Sequence, residues 1–339
     1  MDILVCGAQV PFMSGGAELH MHNLVAALEE SGHRAELVRL PTAWDRERIF
    51  DAALAWRMVP VDADMVIATN FPSYFVRHPR KVVWLFHQHR GFYDAAESDW
   101  SDIGLDDESL ELQRLLTSWD QVALGEAVAR FTTSGVVADR LARYCGLDAT
   151  PLYHPPPLFD RLHPGPAGDE LFSATRLEGN KRPRLMVEAL AHAGPEVRLT
   201  IAGRGSLAAD VARRAKELGV TDRLELPGFV SDDELVDRYA RCRAVVYVPH
   251  DEDYGYVTLQ AFAAAKPVIT AADSGGVLEW VEDGVTGFVT DGSPEQIGAA
   301  MDRLAGDAEL AEKMGRAAQE RVAGLSWSAV VKTLVGAAG

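Results

Sequence analysis

Short runs of apolar, β-branched residues alternate with helical patterns along the whole chain, and this alternation constrains the fold more than any other feature. Val82-Val83-Trp84-Leu85-Phe86 and Ala244-Val245-Val246-Tyr247-Val248 are apolar or aromatic at every position. A strand with one face in water alternates polar with apolar residues, whereas a continuous apolar run suits a parallel sheet covered by helices on both faces. Strand candidates are 2–8, 34–40, 63–70, 81–88 and 129–134, then 170–176, 196–203, 224–230, 242–249, 267–273 and 287–291. Between them, Ala17, Met21, Leu24, Val25 and Leu28 share one helix face, with Gly32 as a stop. Leu207, Val211, Ala212, Ala215 and Leu218 repeat the pattern ahead of Gly219. Ser231-x-x-Glu234 and Ser293-Pro294-Glu295-Gln296 read as helix starts, the second with Pro at the first helical position. The repetition predicts a doubly wound α/β architecture.

At roughly 100–200 residues per domain, 339 residues suggest two such domains. The densest proline stretch, His154-Pro155-Pro156-Pro157 through Pro164 and Pro166, predicts a hinge near 154–168. The expected division is an N-terminal Rossmann-like domain over 1–160, a second over 161–325, and a C-terminal helix over 326–339 packing back on the first. Two domains of this kind are expected to face each other across a cleft at their strand C-terminal ends, where ligands of open α/β sheets gather.

Composition excludes several function classes. The net charge of −17, without a basic stripe, argues against gripping nucleic acid by its phosphates or an anionic membrane by its headgroups. No apolar run approaches the ~18 residues of a membrane span. The N-terminus MDILVCGAQVPF has no basic leader and already reads as a strand, so a cytoplasmic protein is expected. Cys6, Cys145 and Cys242 are too scattered for a disulfide framework or a zinc knuckle. From Asp94 to Glu111 there are eight acids and no Lys or Arg, which reads as a solvated face or as a cation-attracting rim.

The residues that could carry chemistry lie where strands end. Pro11 to Glu18 contains Gly15-Gly16 and opens a helix, so backbone N–H groups could approach an anion there. It is not GxGxxG, and no acid closes the second strand at Arg39-Leu40, which argues against a nicotinamide enzyme. In the second half Arg176 ends a strand and Lys181 follows five residues later, two cations suited to a diphosphate. Gly203-Arg204-Gly205 and Pro227-Gly228-Phe229-Val230 end the next two strands. The most informative stretch runs from Pro249 to Ile269. A strand ends, an acidic loop holding Glu252 turns at Gly255, and a helix begins with Gln260 about two turns into it.

These pieces, in their order and spacing, resemble glycosyltransferase family 4 of the GT-B fold, whose members are retaining and use nucleotide sugars. The resemblance covers nearly the whole chain, including GGxE at 15–18, Ser274-Gly275-Gly276 with Glu279, Asp283-Gly284-Val285-Thr286-Gly287-Phe288, and Ser326-Trp327. It implies that Glu252 holds hydroxyls of the transferred sugar and that Arg176 and Lys181 neutralise the diphosphate. Backbone at Gly15, Gly16, Tyr256 and Val257 would complete the cradle, with Gly203, Tyr254 and Gly255 lining the donor site and Phe229-Val230 meeting the base. The family's second glutamate, which holds the ribose diol, falls here on Gln260, a departure that implies weakened or retuned nucleotide binding. Phe86-His87-Gln88-His89-Arg90 resembles the family's histidine motif, which implies that His89 contacts the sugar and that His87, Arg90 and Glu18 face the acceptor.

The implied chemistry is a same-face displacement. The diphosphate leaves, charge develops at the anomeric carbon, and a phosphate oxygen takes the acceptor's proton. No second carboxylate partner for Glu252 is evident, unlike the carboxylate pair of retaining hydrolases. Asp251-Glu252-Asp253 looks superficially like the DxD of metal-dependent transferases, but the Arg/Lys pair already supplies positive charge, so neither metal nor cofactor is expected. UDP-sugar is the expected donor. The expected acceptor is a small soluble molecule, an amine-bearing aminocyclitol being one that the acidic run would steer. A homo-oligomer is compatible with the sequence. The alternatives are a related GT-B phosphorylase or nucleotide-sugar epimerase, or a catalytically weak nucleotide-sugar binder, the last motivated by Gln260.

Overall fold

The computed structural model describes residues 1–11, 15–42, 46–94, 104, 106–166 and 168–339. The chain divides into two compact units, Met1–His154 with Leu325–Gly339, and Pro155–Gly324.

The first unit runs β1 (Asp2–Gln9), α1 (Gly16–Glu30), β2 (Arg34–Pro41), α2 (Ile49–Met58), β3 (Met65–Ala68), β4 (Lys81–Leu85), α3 (Asp107–Gly125), β5 (Ala129–Thr132), α4 (Gly135–Cys145) and β6 (Thr150–Pro151). Its parallel sheet has the order β2-β1-β3-β4-β5-β6. The all-apolar run foreseen over 82–86 is buried at every position, as expected for a sheet with helices on both faces, and β3 is buried likewise. The two-residue β6 is too short to leave a pattern in the sequence.

The second unit runs β7 (Leu171–Ala174), α5 (Pro183–His192), β8 (Leu199–Ala202), α6 (Ala208–Glu217), β9 (Leu224–Gly228), α7 (Asp232–Arg241), β10 (Ala244–Val246), α8 (Tyr256–Ala263), β11 (Val268–Ala271), β12 (Gly287–Thr290), α9 (Pro294–Gly306) and α10 (Ala308–Val322). The sheet order is β12-β11-β10-β7-β8-β9, again all parallel. Leu171, Ile201, Val246 and Ile269 pack with Met186, Leu190, Ile297 and Met301 in one apolar layer. Ser231 and Ser293 cap their helices as their spacing predicts, accepting from the Glu234 and Gln296 N–H groups at 3.2 and 3.3 Å.

The chain then re-enters the first unit as α11 (Trp327–Gly336), capped by Ser326 through the Ala329 N–H at 3.1 Å. Val330, Val331 and Leu334 join Ile3, Val5, Met21, Leu24 and Trp84 in the core of that unit. No helix among the described residues is long and apolar enough to cross a membrane.

The acidic run has several structural duties. Asp106 caps α3, accepting from the Ser109 N–H at 2.9 Å, and this bond with the Ser109 hydroxyl lowers its pKa. Glu108 pairs with Arg46 at 2.8 Å, and Asp94 takes Arg90 Nε at 3.0 Å and Arg140 Nε at 3.1 Å. Glu97, Asp99 and Asp102 lie outside the described residues.

Candidate functional site

In the second sheet the first strand, β7, lies between β8 and β10. Chain direction through the sheet reverses here, and the C-terminal ends of the two strands flanking such a switch point leave a crevice for ligands. Arg176 and Lys181 follow β7, and Glu252 follows β10. The Lys181 ammonium donates to the Glu252 carboxylate, which also accepts from the Tyr247 hydroxyl at 2.9 Å. Lys181 is only 9% exposed, so this ion pair is shielded far more than a surface one. Arg176, after the end of β7, is exposed. Burial and the neighbouring Glu252 raise the Tyr247 pKa well above its usual value, with Arg176 opposing them, so Tyr247 stays a neutral donor. Sequence predicts Arg176, Lys181 and Glu252 as one group, and the fold brings them to one edge.

The loop carrying Glu252 is fixed by backbone contacts with the turn after β11. The Gly276 N–H donates to the Glu252 carbonyl at 2.7 Å, and the Asp251 N–H to the Asp273 carbonyl at 2.8 Å. A side chain on Gly275, at φ 61, would put a Cβ 2.6 Å from the Glu252 carbonyl oxygen, so glycine alone permits this approach. The neighbouring strand end relies on Gly203 in the same way. Its Cβ would lie 1.8 Å from the Thr175 carbonyl oxygen, just before Arg176, and its own N–H donates to the Gly228 carbonyl at 2.8 Å.

Gly255, at φ 81, precedes α8, and Tyr256 and Val257 form the helix's first turn. Tyr254 is buried, its ring edge-on to Tyr256 and Trp280 with centroids 5.6 and 6.3 Å away. Gln260 is the fifth residue of α8, just over one turn in, not two. It is 7% exposed, and both ends of its amide are engaged. Its oxygen accepts from Tyr239 and its nitrogen donates to the Pro157 carbonyl, each at 3.1 Å. Phe229, by contrast, is 69% exposed beyond the end of β9, with the Arg204 guanidinium over its ring at 5.5 Å, and Val230 is half-buried.

In the first unit, Gly15 precedes α1 and Gly16 begins it. The Glu18 carboxylate accepts from the Gly15 N–H at 2.9 Å, a helix-capping bond that ties it to the glycine turn. Three of the neighbouring residues, 12–14, lie outside those described. His87 is half-exposed, its Nδ1 2.8 Å from the Gln88 carbonyl. His89 is buried, edge-on to Phe71 and Phe92 with centroids 5.5 and 5.0 Å away. Arg90 is drawn onto Asp94. Behind this loop Gln88 Nε2 and the Tyr93 hydroxyl donate to the fully buried Asp120 carboxylate at 3.0 and 2.7 Å. Burial raises the Asp120 pKa to about 6, against the pull of those hydrogen bonds.

Residues 165–321 match the family model Glycosyl transferases group 1. That span covers most of the second unit. The chain is 33% identical over 222 residues to a D-inositol 3-phosphate glycosyltransferase of Mycolicibacterium vanbaalenii, covering 64% of this chain and 46% of the relative. It is 32% identical over 178 residues to the Frankia alni protein of the same name, covering 49% and 44%. The chain thus spans somewhat less than half the length of these relatives. Among solved structures, a sucrose-phosphate synthase from Thermosynechococcus elongatus aligns over 99% of this chain and 97% of its own, with TM-score 0.78 and 18% identity. Anabaena HepE, in complex with UDP and glucose, aligns over 99% and 98%, with TM-score 0.73 and 16% identity. The two Rossmann-like parallel-sheet units expected from the sequence are those of a GT-B fold.

Four residues that shape the second-unit site carry no separate signal in the sequence. Tyr247 reads as one more apolar strand position, and Tyr239 as part of an amphipathic helix. Arg182 and Asp273 read as ordinary surface charge. Only their contacts distinguish them.

Proposed function

We propose that the protein is a retaining glycosyltransferase of family 4, cytoplasmic, moving a sugar from a UDP-sugar to a small soluble acceptor without a metal or cofactor. The observation that carries this reading is the cation pair at the switch point. Arg176 lies open after the end of β7 with its charge acting on Tyr247, and Lys181 lies against the Glu252 carboxylate that Tyr247 also bonds. The family match over 165–321 and the names of the relatives support a nucleotide-sugar transferase.

In this reading the donor's diphosphate takes its charge partners from Arg176 and Lys181 and from the backbone at the start of α8, with Gly15-Gly16 adding to the cradle. Glu252 holds sugar hydroxyls, its carboxylate positioned by the bonds it accepts from Lys181 and Tyr247. As the anomeric C–O bond breaks, both bonding electrons go to the diphosphate oxygen. The acceptor oxygen bonds to the same face of the anomeric carbon, and its proton passes to a phosphate oxygen. Fixed cations stabilise charge on the leaving group without reorganising, which is where most of the barrier reduction comes from. In this reading Gly203 lines the donor site and the backbone at Phe229 and Val230 meets the nucleotide base. His89 serves the sugar, with His87, Arg90 and Glu18 serving the acceptor. Arg176→Ala and Lys181→Ala test this reading. Each is expected to lower transfer by roughly two to three orders of magnitude, about 3–4 kcal/mol of transition-state stabilisation. Near-normal turnover in both variants would remove the assignment.

Gln260 favours a second reading, a nucleotide-sugar binder of low activity. Its amide is spent on Tyr239 and Pro157, where the family's glutamate would hold ribose. Tight UDP binding without turnover across a broad acceptor panel would favour this second reading.

A further inference from the structure

Arg182 directly follows Lys181, and its guanidinium is used on every side. Nη1 and Nη2 donate to the two oxygens of Asp273 at 2.8 and 2.7 Å in a planar fork. Nη2 also reaches the Pro249 carbonyl at 2.8 Å, and Nε reaches the Val248 carbonyl at 2.7 Å. These acceptors belong to two other loops. Val248 and Pro249 follow β10 and lead to Glu252, while Asp273 follows β11 and leads into the Ser274-Gly275-Gly276 turn against which Glu252 is built. The His250 N–H closes the set by donating to the Asn180 carbonyl, one residue before Lys181, at 2.8 Å. One side chain thus joins the segments carrying both members of the Lys181–Glu252 pair.

The backbone records the demand. Arg182 sits at φ 48, ψ 48, a left-handed conformation that bulky residues rarely adopt, immediately before Pro183. Such a conformation persists where surrounding contacts over-determine it, and the four guanidinium bonds do so here.

We propose that Arg182 and Asp273 are positioning residues, a staple that holds Lys181 in register with Glu252 and so fixes the cation on which the departing diphosphate relies. The catalytic half of this proposal rests on the transferase reading above; the structural half does not. A flexible lysine stabilises a transition state best when its ammonium is already in place, so loss of the staple falls on kcat more than on donor KM.

Arg182→Gly is the informative variant, because glycine accepts φ 48 without strain and the fold is retained. Its kcat is expected to fall at least tenfold with donor KM changed less than threefold. Arg182→Lys, which keeps the charge but not the fork, should fall with it. Asp273→Ala added to Arg182→Gly should cost little more, because the two act as one unit. A second measurement needs no substrate: a double-mutant cycle of Lys181→Met and Glu252→Gln in urea. The coupling it reads, as a ratio of unfolding constants, should shrink at least fivefold in the Arg182→Gly background. If the wild-type chain transfers nothing from UDP-, GDP- or ADP-glucose while the coupling still collapses, the transferase reading fails and the staple stands. Wild-type kcat in Arg182→Gly, or an unchanged coupling, overturns the staple.

Discussion

The side-chain amide of Gln260 donates to the Pro157 carbonyl at 3.1 Å, tying helix α8 to the segment that leads into the second unit. A glutamate cannot make this bond when ionised, since it offers only acceptors to a carbonyl. Gln260→Glu is therefore expected to lower stability by roughly 1–3 kcal/mol at neutral pH, the cost of a buried acceptor left unsatisfied beside a charge. The deficit should shrink at acid pH, where the protonated carboxyl can donate. Urea unfolding at pH 5 and pH 8 checks this, and a pH-independent deficit would contradict it.

Tyr247 donates to Glu252 from beneath the site. Tyr247→Phe removes one 2.9 Å bond from the carboxylate and leaves its packing unchanged. Hydrogen bonds to charged groups contribute about 1.5–3 kcal/mol, so transfer should fall by roughly ten- to a hundredfold if that bond is made in the transition state. Steady-state kinetics on the purified variant decide it.

Asp120 makes the first unit lose stability as pH rises from 4 to 6. Its folded-state pKa is raised from 3.8 to about 6, so the folded protein holds this proton more tightly than the unfolded chain does. The stability it contributes is present below pH 4 and is lost as pH rises through 6, a change of about 3 kcal/mol. Asp120→Asn should flatten that stretch of the profile. Denaturant midpoints from pH 4 to 8, wild type against variant, measure the difference.

His20 and His154 act with the opposite sign. Their rings meet through Nδ1 and Nε2 at 2.8 Å, buried against Trp84 and Trp327. Burial lowers the His154 pKa to about 3, and burial with the neighbouring His154 lowers that of His20. Both stay neutral in the fold, so their stability contribution is full above pH 6.5 and is lost as pH falls towards 3, at up to ~1.4 kcal/mol per proton per pH unit. Protection against hydrogen exchange in α1 and α11, corrected for the intrinsic rate at each pH, should fall between pH 7 and 5 more than protection in β3 or β4. A uniform fall would contradict this.

Metal independence has its own test. A chelator such as EDTA should leave turnover unchanged, and restoration of activity by Mg²⁺ or Mn²⁺ after chelation would overturn the proposal that Arg176 and Lys181 neutralise the diphosphate without a metal.

The layout of both sheets was legible because parallel strands write themselves as uninterrupted apolar runs, and the helix starts at Ser231 and Ser293 were legible because caps act locally. Arg176 and Lys181 could be paired from sequence because they follow one strand end, Glu252 joined them through the family resemblance, and the sheet order decides which strand ends are neighbours. The Gln260–Pro157 and Arg182–Asp273 contacts join residues 103 and 91 positions apart, and no local pattern announces them. The partners of the acidic stretch were not legible for a similar reason: Asp94 meets Arg90 and Arg140, whereas Asp106 caps α3 and shares Arg46 with Glu108.

The return of α11 to the first unit has a consequence for biogenesis. Val330, Val331 and Leu334 fill the core around Met21 and Leu24, yet the ribosome delivers them only after the whole of the second unit. The opening half must wait with an unfilled apolar groove while its sister folds, so chaperone engagement should persist on nascent chains until synthesis has passed Leu334, and a premature stop before Trp327 should mark the product for degradation.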